Sequence, residues 1–487
     1  MGESSGAKRV SFLVVAGLVG LAGCSDPEVV SAGMTTSPEA EPGSTGGDPL
    51  PAGSESDAAD DESSSGSTGE PEGMESSSSG GAPAVCGNGI VEGDEDCDDD
   101  SVGCRSDCRS ACGLATTHVG GDSEIFSDVA LHPDGHLLAF GQMLSEDDAA
   151  STIRLTSLTA EGEVLDENDL PLGETSGTYG ISVLPDGSVY GIAGADAGGA
   201  YFSMLVMHWD AAGTHRWNEQ AEWPFHWQTR PSVALSANGT VTVVTDRPTD
   251  DTGRDLWVGE YDADGLSTSR TYDSSPEGGA VNDFGGLVNV GTDGTVTVGG
   301  LRTSPQGGPT VSDPFVARLG ETAEDPAAWS WSEYLESSNL QLTAIDARAA
   351  GDGRTIWLFQ QRHDFDTSAH YLLVALEPDG AVAWRLDSRE IGEDARRGEA
   401  MVVDDAGRVF VIGRNYAPDG GGQINAQRVT AWDRDGETLC DVDVEDLGFF
   451  SGGALSIDGR PTFVGRTQGY ELVDLHPVFT ALNGFED

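Results

Sequence analysis

The turn His132-Pro133-Asp134-Gly135 is one of seven similar turns, and their spacing decides the fold of this chain. The other six are Leu184-Pro185-Asp186-Gly187, Ser236-Ala237-Asn238-Gly239, Gly291-Thr292-Asp293-Gly294, Gly351-Asp352-Gly353, Asp405-Ala406-Gly407 and Ile457-Asp458-Gly459. Successive turn glycines, at positions 135, 187, 239, 294, 353, 407 and 459, are separated by 52, 52, 55, 59, 54 and 52 residues. Asp-Gly and Asn-Gly pairs between apolar runs are typical of tight hairpin turns. This regular period indicates a repeated structural unit.

Each repeat contains four short apolar stretches. Runs such as Val241–Val244 and Val409–Ile412 directly follow the turn, and a third stretch such as Leu205–Met207 comes later. A fourth stretch follows a further glycine turn and contains Trp217 or Trp384 in two of the repeats. Four-stranded sheets that repeat around a channel are the blades of a β-propeller. We therefore predict an all-β, seven-bladed β-propeller with four-stranded blades over residues 113–487.

The last repeat predicts how the ring closes. Its third strand is expected at Val478–Leu482, and no sequence for a fourth strand follows it. At the other end, Ala115–Val119 precedes the first turn's strand, where a fourth strand is expected. We therefore expect the N-terminal strand to complete the last blade, because closure removes an exposed sheet edge.

The propeller segment resembles the SBBP and delta-60 families of bacterial propeller repeats. The stretch Asp255-Leu256-Trp257-Val258-Gly259-Glu260-Tyr261-Asp262, followed by Asp264-Gly265, is typical of them. The resemblance covers residues 115–487 and implies a propeller in the cell envelope or outside the cell. It implies no catalytic residue.

The first residues are typical of a secretion signal. Lys8-Arg9 forms a charged start, Val10–Gly20 is an apolar run, and Leu21-Ala22-Gly23-Cys24 follows. The last four residues resemble the lipobox of bacterial lipoproteins, which implies a signal peptide at 1–23 and a lipid on Cys24. The alternative is an ordinary cleavable signal with a chance cysteine. Ser25 stands where an inner-membrane retention signal has aspartate, so we expect anchoring in the cell envelope at the outer membrane or cell surface.

Residues 24–85 form a predicted tether between the lipid and the folded part. After Cys24 this segment is rich in serine, glycine and acidic residues, and it has no aromatic residue. Such a sequence cannot bury enough apolar surface to offset its ordering entropy. We expect a disordered acidic tether that holds the folded part away from the membrane.

Residues 86–112 form a predicted disulfide module. They contain five cysteines, Cys86, Cys97, Cys104, Cys108 and Cys112, and resemble the cysteine-rich repeat of myxobacterial surface proteins. Four of them can form two disulfides in three possible pairings, and the sequence does not choose between these. Zinc binding is the rival interpretation, but an exported chain meets an oxidising compartment and no histidine lies nearby.

The acidic loop of this module is the one candidate metal site. Calcium prefers several oxygen ligands in a flexible loop, which this acidic run could supply, although the regular spacing of an EF-hand is absent. The alternative is a solvated acidic loop. The candidate ligands are Asp96, Asp98, Asp99 and Asp100. We expect no other cofactor.

Cys440 lies outside the cysteine module, in the last strand of the sixth repeat. It follows Gly436 by four residues, which is the position that Trp217 and Trp384 occupy in their repeats. We therefore expect a buried free thiol at Cys440 rather than a disulfide with Cys112.

The sequence offers no catalytic constellation. Its net charge of −58 disfavours nucleic acid as a partner. His132 and His136 flank a turn and could touch, but no third ligand lies nearby, so they are expected to decorate a hairpin. Carboxylate pairs for glycosidic cleavage would have to converge from different blades, and the sequence cannot select a pair. We therefore do not expect an enzyme.

Two tryptophans are candidates for a ligand surface. Trp217 lies at the repeated core position, whereas Trp223 and Trp227 lie in the connection from the second to the third repeat. Aromatic side chains on loops can stack on sugars or peptides, although packing between blades is the alternative explanation for both.

The hypothesis that follows is a lipid-anchored, non-enzymatic surface module that binds a protein or glycan through one face of the propeller. One alternative is a polysaccharide hydrolase or lyase with acids at the channel mouth. Another is a structural or adhesive surface protein.

Overall fold

The computed structural model describes most of the region predicted to form the propeller. All described residues belong to the compact unit Ser79–Asp487. They comprise 113–118, 124–144, 151–173, 177–196, 201–226, 229–236, 238–249, 253–272, 283–291, 293–303, 312–320, 329–332, 340–363, 369–391, 395–416, 424–444, 448–468 and 475–483. Within these ranges no helix is long and apolar enough to cross a membrane.

The described chain consists almost entirely of antiparallel strands, beginning with β1 (Gly113–His118). Blade 1 contains β2 (Glu124–Leu131), β3 (Leu137–Leu144), β4 (Ser151–Leu158) and β5 (Val164–Gly173). Blade 2 contains β6 (Gly177–Val183), β7 (Val189–Asp196), β8 (Tyr201–Trp209) and β9 (His215–His226). Blade 3 contains β10 (Ser232–Leu235), β11 (Val241–Thr249), β12 (Gly253–Asp262) and β13 (Gly265–Tyr272).

The second half of the chain continues the same order. Blade 4 contains β14 (Asp283–Val290), β15 (Val296–Thr303), β16 (Ser312–Arg318) and β17 (Trp329–Ser332). Blade 5 contains β18 (Leu340–Ala349), β19 (Thr355–His363), β20 (Ala369–Leu376) and β21 (Val382–Asp387), and the short helix α1 (Ser388–Ile391) follows it. Blade 6 contains β22 (Ala395–Val403), β23 (Val409–Tyr416), β24 (Ile424–Trp432) and β25 (Thr438–Val444).

The two ends of the described chain share one further sheet. It contains β26 (Gly448–Leu455), β27 (Pro461–Gln468) and β28 (Leu475–Asn483), with β1 as its outermost strand. The register pairs Gly113 with Asn483 and His118 with Val478. The prediction of a seven-bladed propeller is therefore corrected. Six blades consist of four consecutive strands each, and the last repeat contributes three strands to a composite sheet that β1 completes.

The turns that set the repeat are hairpin turns with a glycine in the left-handed region. Gly135, at φ 90°, donates its N–H to the His132 carbonyl at 2.9 Å, and the His132 N–H is bonded to the His136 carbonyl at 2.8 Å. This is the pattern of a type I turn followed by a glycine bulge. The aspartate before the glycine also accepts a backbone bond, as when Ser188 N–H donates to Asp186 Oδ1 at 2.9 Å.

The hydrophobic core lies between neighbouring blades. Trp357 of blade 5 is fully buried and packs in one cluster with Leu287 and Leu301 of blade 4. Glycine on the facing strand leaves room for this ring, because a Cβ added to Gly299 would lie 2.3 Å from Trp357. The blades are therefore joined by close packing of large aromatic side chains against small residues.

Two tryptophans at the repeated core position also join neighbouring blades by hydrogen bonds. Trp217 donates its indole N–H to the Ala263 carbonyl at 2.8 Å, and Trp384 donates to the Arg434 carbonyl at 2.9 Å. Each acceptor lies in the outer turn of the following blade. Trp217 is half-buried among core side chains of blades 2 and 3. This position serves blade packing, as the sequence predicts.

Cys440 is buried in the core between blade 6 and the composite sheet and is disulfide-bonded. The prediction of a free thiol is therefore wrong. The repeat position correctly indicates burial, but burial does not distinguish a free thiol from a bonded one. The partner lies outside the described residues.

Candidate functional site

The innermost strand of each sheet lines a central channel, and six of these strands contain a β-bulge. Register shifts occur in β2, β6, β14, β18, β22 and β26. The extra residues are Ser127, Tyr179, Gly286, Ile345, Glu399 and Ser451. A bulge redirects a side chain that regular pairing would place elsewhere. Five of these six residues line a cavity at the channel end opposite the Asp-Gly turns.

We call this end of the channel the arginine mouth, after Arg230, Arg397, Arg414 and Arg466, which line it together with Glu399. Its cavity has a volume of about 460 Å³. The opposite opening, beside the Asp-Gly turns, is lined mainly by small and aliphatic side chains and has Arg348 as its charged residue. The two ends of the channel therefore differ in charge.

Two of the four arginines surround the carboxylate of Glu399. Arg414 forms an ion pair with Glu399, and both side chains are almost fully buried. Arg397 Nε lies 3.8 Å from Glu399 Oε1. The guanidinium of Arg414 also lies over the Phe449 ring, 3.9 Å from its centroid, and that of Arg466 lies 5.1 Å from the same centroid. Glu399 and Phe449 thus hold the arginines at fixed positions.

Arg230 and Arg466 form no ion pair with any carboxylate of the described residues. Loss of water lowers the pKa of Arg230, and the positive charge of Arg397 lowers it further. Loss of water also lowers the pKa of Arg466, with Arg414 as the next cause. In both cases the negative charge of Glu399 opposes the shift.

Several buried polar atoms at the arginine mouth have no hydrogen-bond partner. These are Nε of Arg397, Nε of Arg414 and Oε1 of Gln142. Gln142 is only 9% exposed and lines the cavity. Buried polar atoms are normally paired, so these three are exceptions, and they are enclosed by the protein rather than exposed to the cavity.

Deeper in the channel, carboxylates join neighbouring blades. Asp128 Oδ2 accepts the Ile181 N–H of the next blade at 3.0 Å, and Asp346 Oδ2 accepts the Met401 N–H at 3.2 Å. Burial raises the pKa of Asp128 to about 7, against the opposing effect of Arg348. Burial also raises the pKa of Asp346. Both aspartates directly follow a bulge, so the same irregularity that redirects one side chain also places these inter-blade bonds.

The residues predicted from the sequence lie elsewhere. Trp223 is half-buried between blades 2 and 3, with its ring 5.2 Å from Trp257 and the Arg247 guanidinium 4.5 Å above it. Trp227 lies outside the described residues, as do the lipidation, disulfide and metal candidates Cys24, Cys86, Cys97, Cys104, Cys108, Cys112, Asp96, Asp98, Asp99 and Asp100.

His132 and His136 stack across their turn, with ring centroids 4.3 Å apart. His132 Nδ1 accepts the Asp134 N–H at 3.2 Å, so this histidine takes part in the turn itself. Within the described ranges no group of three histidine, cysteine or acidic side chains could hold a metal ion.

No protein-family model matches this sequence, and no curated protein matches it. Solved structures are similar in fold. The polysaccharide lyase Uly1 aligns with a TM-score of 0.47 at 11% identity, over 74% of this chain and 90% of the lyase. A PL25 ulvan lyase bound to -[GlcA(1-4)Rha3S]- aligns with a TM-score of 0.45 at 10% identity, over 76% of this chain and 96% of the lyase.

A third similar structure is the β-propeller domain of the Trilobed protease from Pyrococcus furiosus, described as having an open velcro topology. It aligns with a TM-score of 0.42 at 10% identity, over 74% of this chain and 95% of that domain. Similarity at this level concerns the propeller fold alone, so a functional argument has to come from the residues of the channel.

Proposed function

We propose that this chain is a binding module of the cell surface, anchored by a lipid on Cys24, that takes its ligand at the arginine mouth. One observation supports this location of the binding site. The sequence has 25 basic residues, of which Lys8 is the only lysine, against 83 acidic ones, yet four arginines line a single cavity beside one carboxylate. A concave site with converging polar groups is the usual form of a ligand pocket.

The proposed location rests on the sequence. The lipobox-like Leu21-Ala22-Gly23-Cys24 supports lipid attachment, and the acidic segment at 25–85 supports display at a distance from the membrane. A propeller presented in this way would have its channel accessible to glycans or proteins outside the cell.

Binding is favoured over glycosidic hydrolysis by the state of the channel carboxylates. Hydrolysis needs two carboxyl groups that flank the scissile bond. Glu399 is the one carboxylate that lines the arginine mouth among the described residues, and it is engaged by Arg414 and by the Phe450 N–H at 3.1 Å. The deeper Asp128 and Asp346 accept backbone bonds between blades. These carboxylates are engaged in an ion pair and in backbone hydrogen bonds between blades, so they are poor candidates for a catalytic acid and nucleophile.

The test is binding of the compact unit Ser79–Asp487, prepared without the lipid, to a panel of envelope polysaccharides and surface proteins. We expect saturable binding to one class, and we expect Ile345→Trp, which fills the arginine mouth, to abolish it. Ile457→Trp is the matched control, because Ile457 is 65% exposed at a turn on the opposite side. Both variants must retain the circular dichroism spectrum and melting temperature of the wild type to within a few degrees.

No saturable binding across the panel would contradict the recognition function. Binding that survives Ile345→Trp would place the ligand elsewhere. New reducing ends in the polysaccharide mixtures would instead favour the hydrolase or lyase alternative.

A further inference from the structure

We infer that the arginine mouth binds the oxyanion of an acidic sugar, a carboxylate or sulfate group carried on a polyhydroxylated ring. The inference rests on the proposed binding function and names the ligand class. Three features support it: the charge balance of the cavity, its polar lining and the net charge of the whole chain.

The charge balance leaves positive charge for a ligand. Glu399 compensates Arg414 and contributes to Arg397, whereas Arg230 and Arg466 form no ion pair with a described carboxylate. Arg230 is exposed and Arg466 is partly exposed, and both line the cavity, so a ligand can reach them. Guanidinium groups bind planar carboxylates and sulfates with paired, charge-assisted hydrogen bonds.

The polar lining of the cavity suits a ligand with hydroxyls as well as an anionic group. Besides the arginines, the cavity is lined by Gln142, Ser127 and Tyr179. Ring hydroxyls can donate to or accept from side chains of these types. An oxyanion and several hydroxyls together are the chemistry of a uronate or a sulfated sugar.

The overall charge selects a compact anion over a dense polyanion. The chain carries −58, so it repels nucleic acid and densely charged polymers at long range. At physiological salt this repulsion is screened beyond about 8 Å. A single acidic sugar within a mostly neutral chain, or at its end, can therefore reach the cavity, where the local charge is positive.

A purely structural role explains Arg414 but not Arg230. Arg414 has an ion pair and an aromatic partner, and its side chain is 3% exposed. Arg230 has neither among the described residues, and its main chain lies beside Gly286 of the next blade. Arg230 is therefore the variant that separates ligand binding from folding.

The experiment is calorimetric titration of the compact unit Ser79–Asp487 with glucuronic acid, a glucose sulfate, neutral glucose and a short glutamate peptide, at low and high sodium chloride. We expect binding of at least one acidic sugar that weakens with salt, and no binding of glucose or the peptide. Glucuronic acid and the glucose sulfate distinguish the two oxyanions. Arg230→Gln should weaken the binding by about 10-fold or more.

Arg216→Gln is the matched control, since Arg216 is 58% exposed on an outer strand and its nearest carboxylate is Asp210 at 3.6 Å. It should leave the affinity unchanged. Arg230→Gln should also keep the melting temperature within a few degrees of the wild type, because Arg230 is exposed and forms no ion pair with a described carboxylate; a clear fall would indicate a structural role and overturn the inference. Binding of a neutral glycan or a protein unaffected by Arg230→Gln would overturn it while leaving the proposed binding function intact.

Discussion

The indole N–H of Trp217 donates to the main-chain carbonyl of Ala263 across the boundary between blades 2 and 3, at 2.8 Å. The acceptor lies in an Asp-x-Asp-Gly turn whose own aspartate is engaged locally, since the Asp264 N–H donates to Asp262 Oδ1 at 2.8 Å. This acidic turn is thus a turn on which the preceding blade docks.

Trp217→Phe should lower the free energy of unfolding by about 1 kcal/mol or somewhat more, because the substitution keeps an aromatic ring but removes the hydrogen bond and some packing. Urea denaturation monitored by circular dichroism measures this change. Trp384→Phe, which removes the equivalent bond to Arg434, should give a similar loss. No loss in either variant would show that these bonds do not stabilise the blade boundaries.

Gly299→Ala should destabilise the propeller by about 1–3 kcal/mol, because the added Cβ would lie 2.3 Å from the buried Trp357 ring. Gly177→Ala is the matched control, since nothing lies within 4 Å of its added Cβ. Thermal unfolding of the two variants should show a lower midpoint for Gly299→Ala alone. Equal midpoints would mean that the boundary between blades 4 and 5 adjusts without cost.

Asp128 makes stability depend on pH. Burial raises its pKa from 3.8 to about 7, so between these values the folded chain holds a proton that the unfolded chain releases. Raising the pH from about 4 to 7 should therefore lower the free energy of unfolding through this group. Glu124, whose pKa burial also raises to about 7, acts in the same direction.

Asp128→Asn should reduce this fall in stability without abolishing it, because Glu124 remains. Urea denaturation at a series of pH values between 4 and 8 measures the slope. Gly177→Ala changes no titratable group and meets no atom within 4 Å, so it should leave the slope as in the wild type. An unaltered slope in Asp128→Asn would contradict the assignment.

Cys440→Ala should lower the free energy of unfolding by about 2–4 kcal/mol, since it removes a disulfide. Peptide mapping without reductant should find Cys440 covalently joined to a second cysteine peptide and identify the partner. Alkylation of Cys440 in denaturant without reductant would contradict the disulfide.

The sequence was sufficient to predict the propeller because its turns are local. An Asp-Gly pair such as Asp186-Gly187 specifies a hairpin from neighbouring residues alone, and the repeat then places the strands. The closing strand followed from the three-stranded last repeat, and β1 indeed pairs with β28. The disulfide at Cys440 was not predictable, because the repeat position indicates only burial.

The arginine mouth was not predicted either, and the reason is geometric. Arg230 precedes β10, Arg397 lies on β22, and Arg466 lies on β27, so their positions in the repeat differ. They meet only because the blades surround one channel. Sequence reasoning considered only acids at the channel. Basic residues are much scarcer in this chain, so a cluster of them is the more informative signal.

The composite sheet has a mechanical consequence. Any tension transmitted along the chain from residues before Gly113 reaches the propeller through β1, whose six residue pairs with β28 bear the load first. Rupture of that single ladder would open the ring at one seam and leave the six blades of consecutive strands intact. The closing strand is therefore the element at which force on the N-terminal side of the molecule would be resisted or relieved.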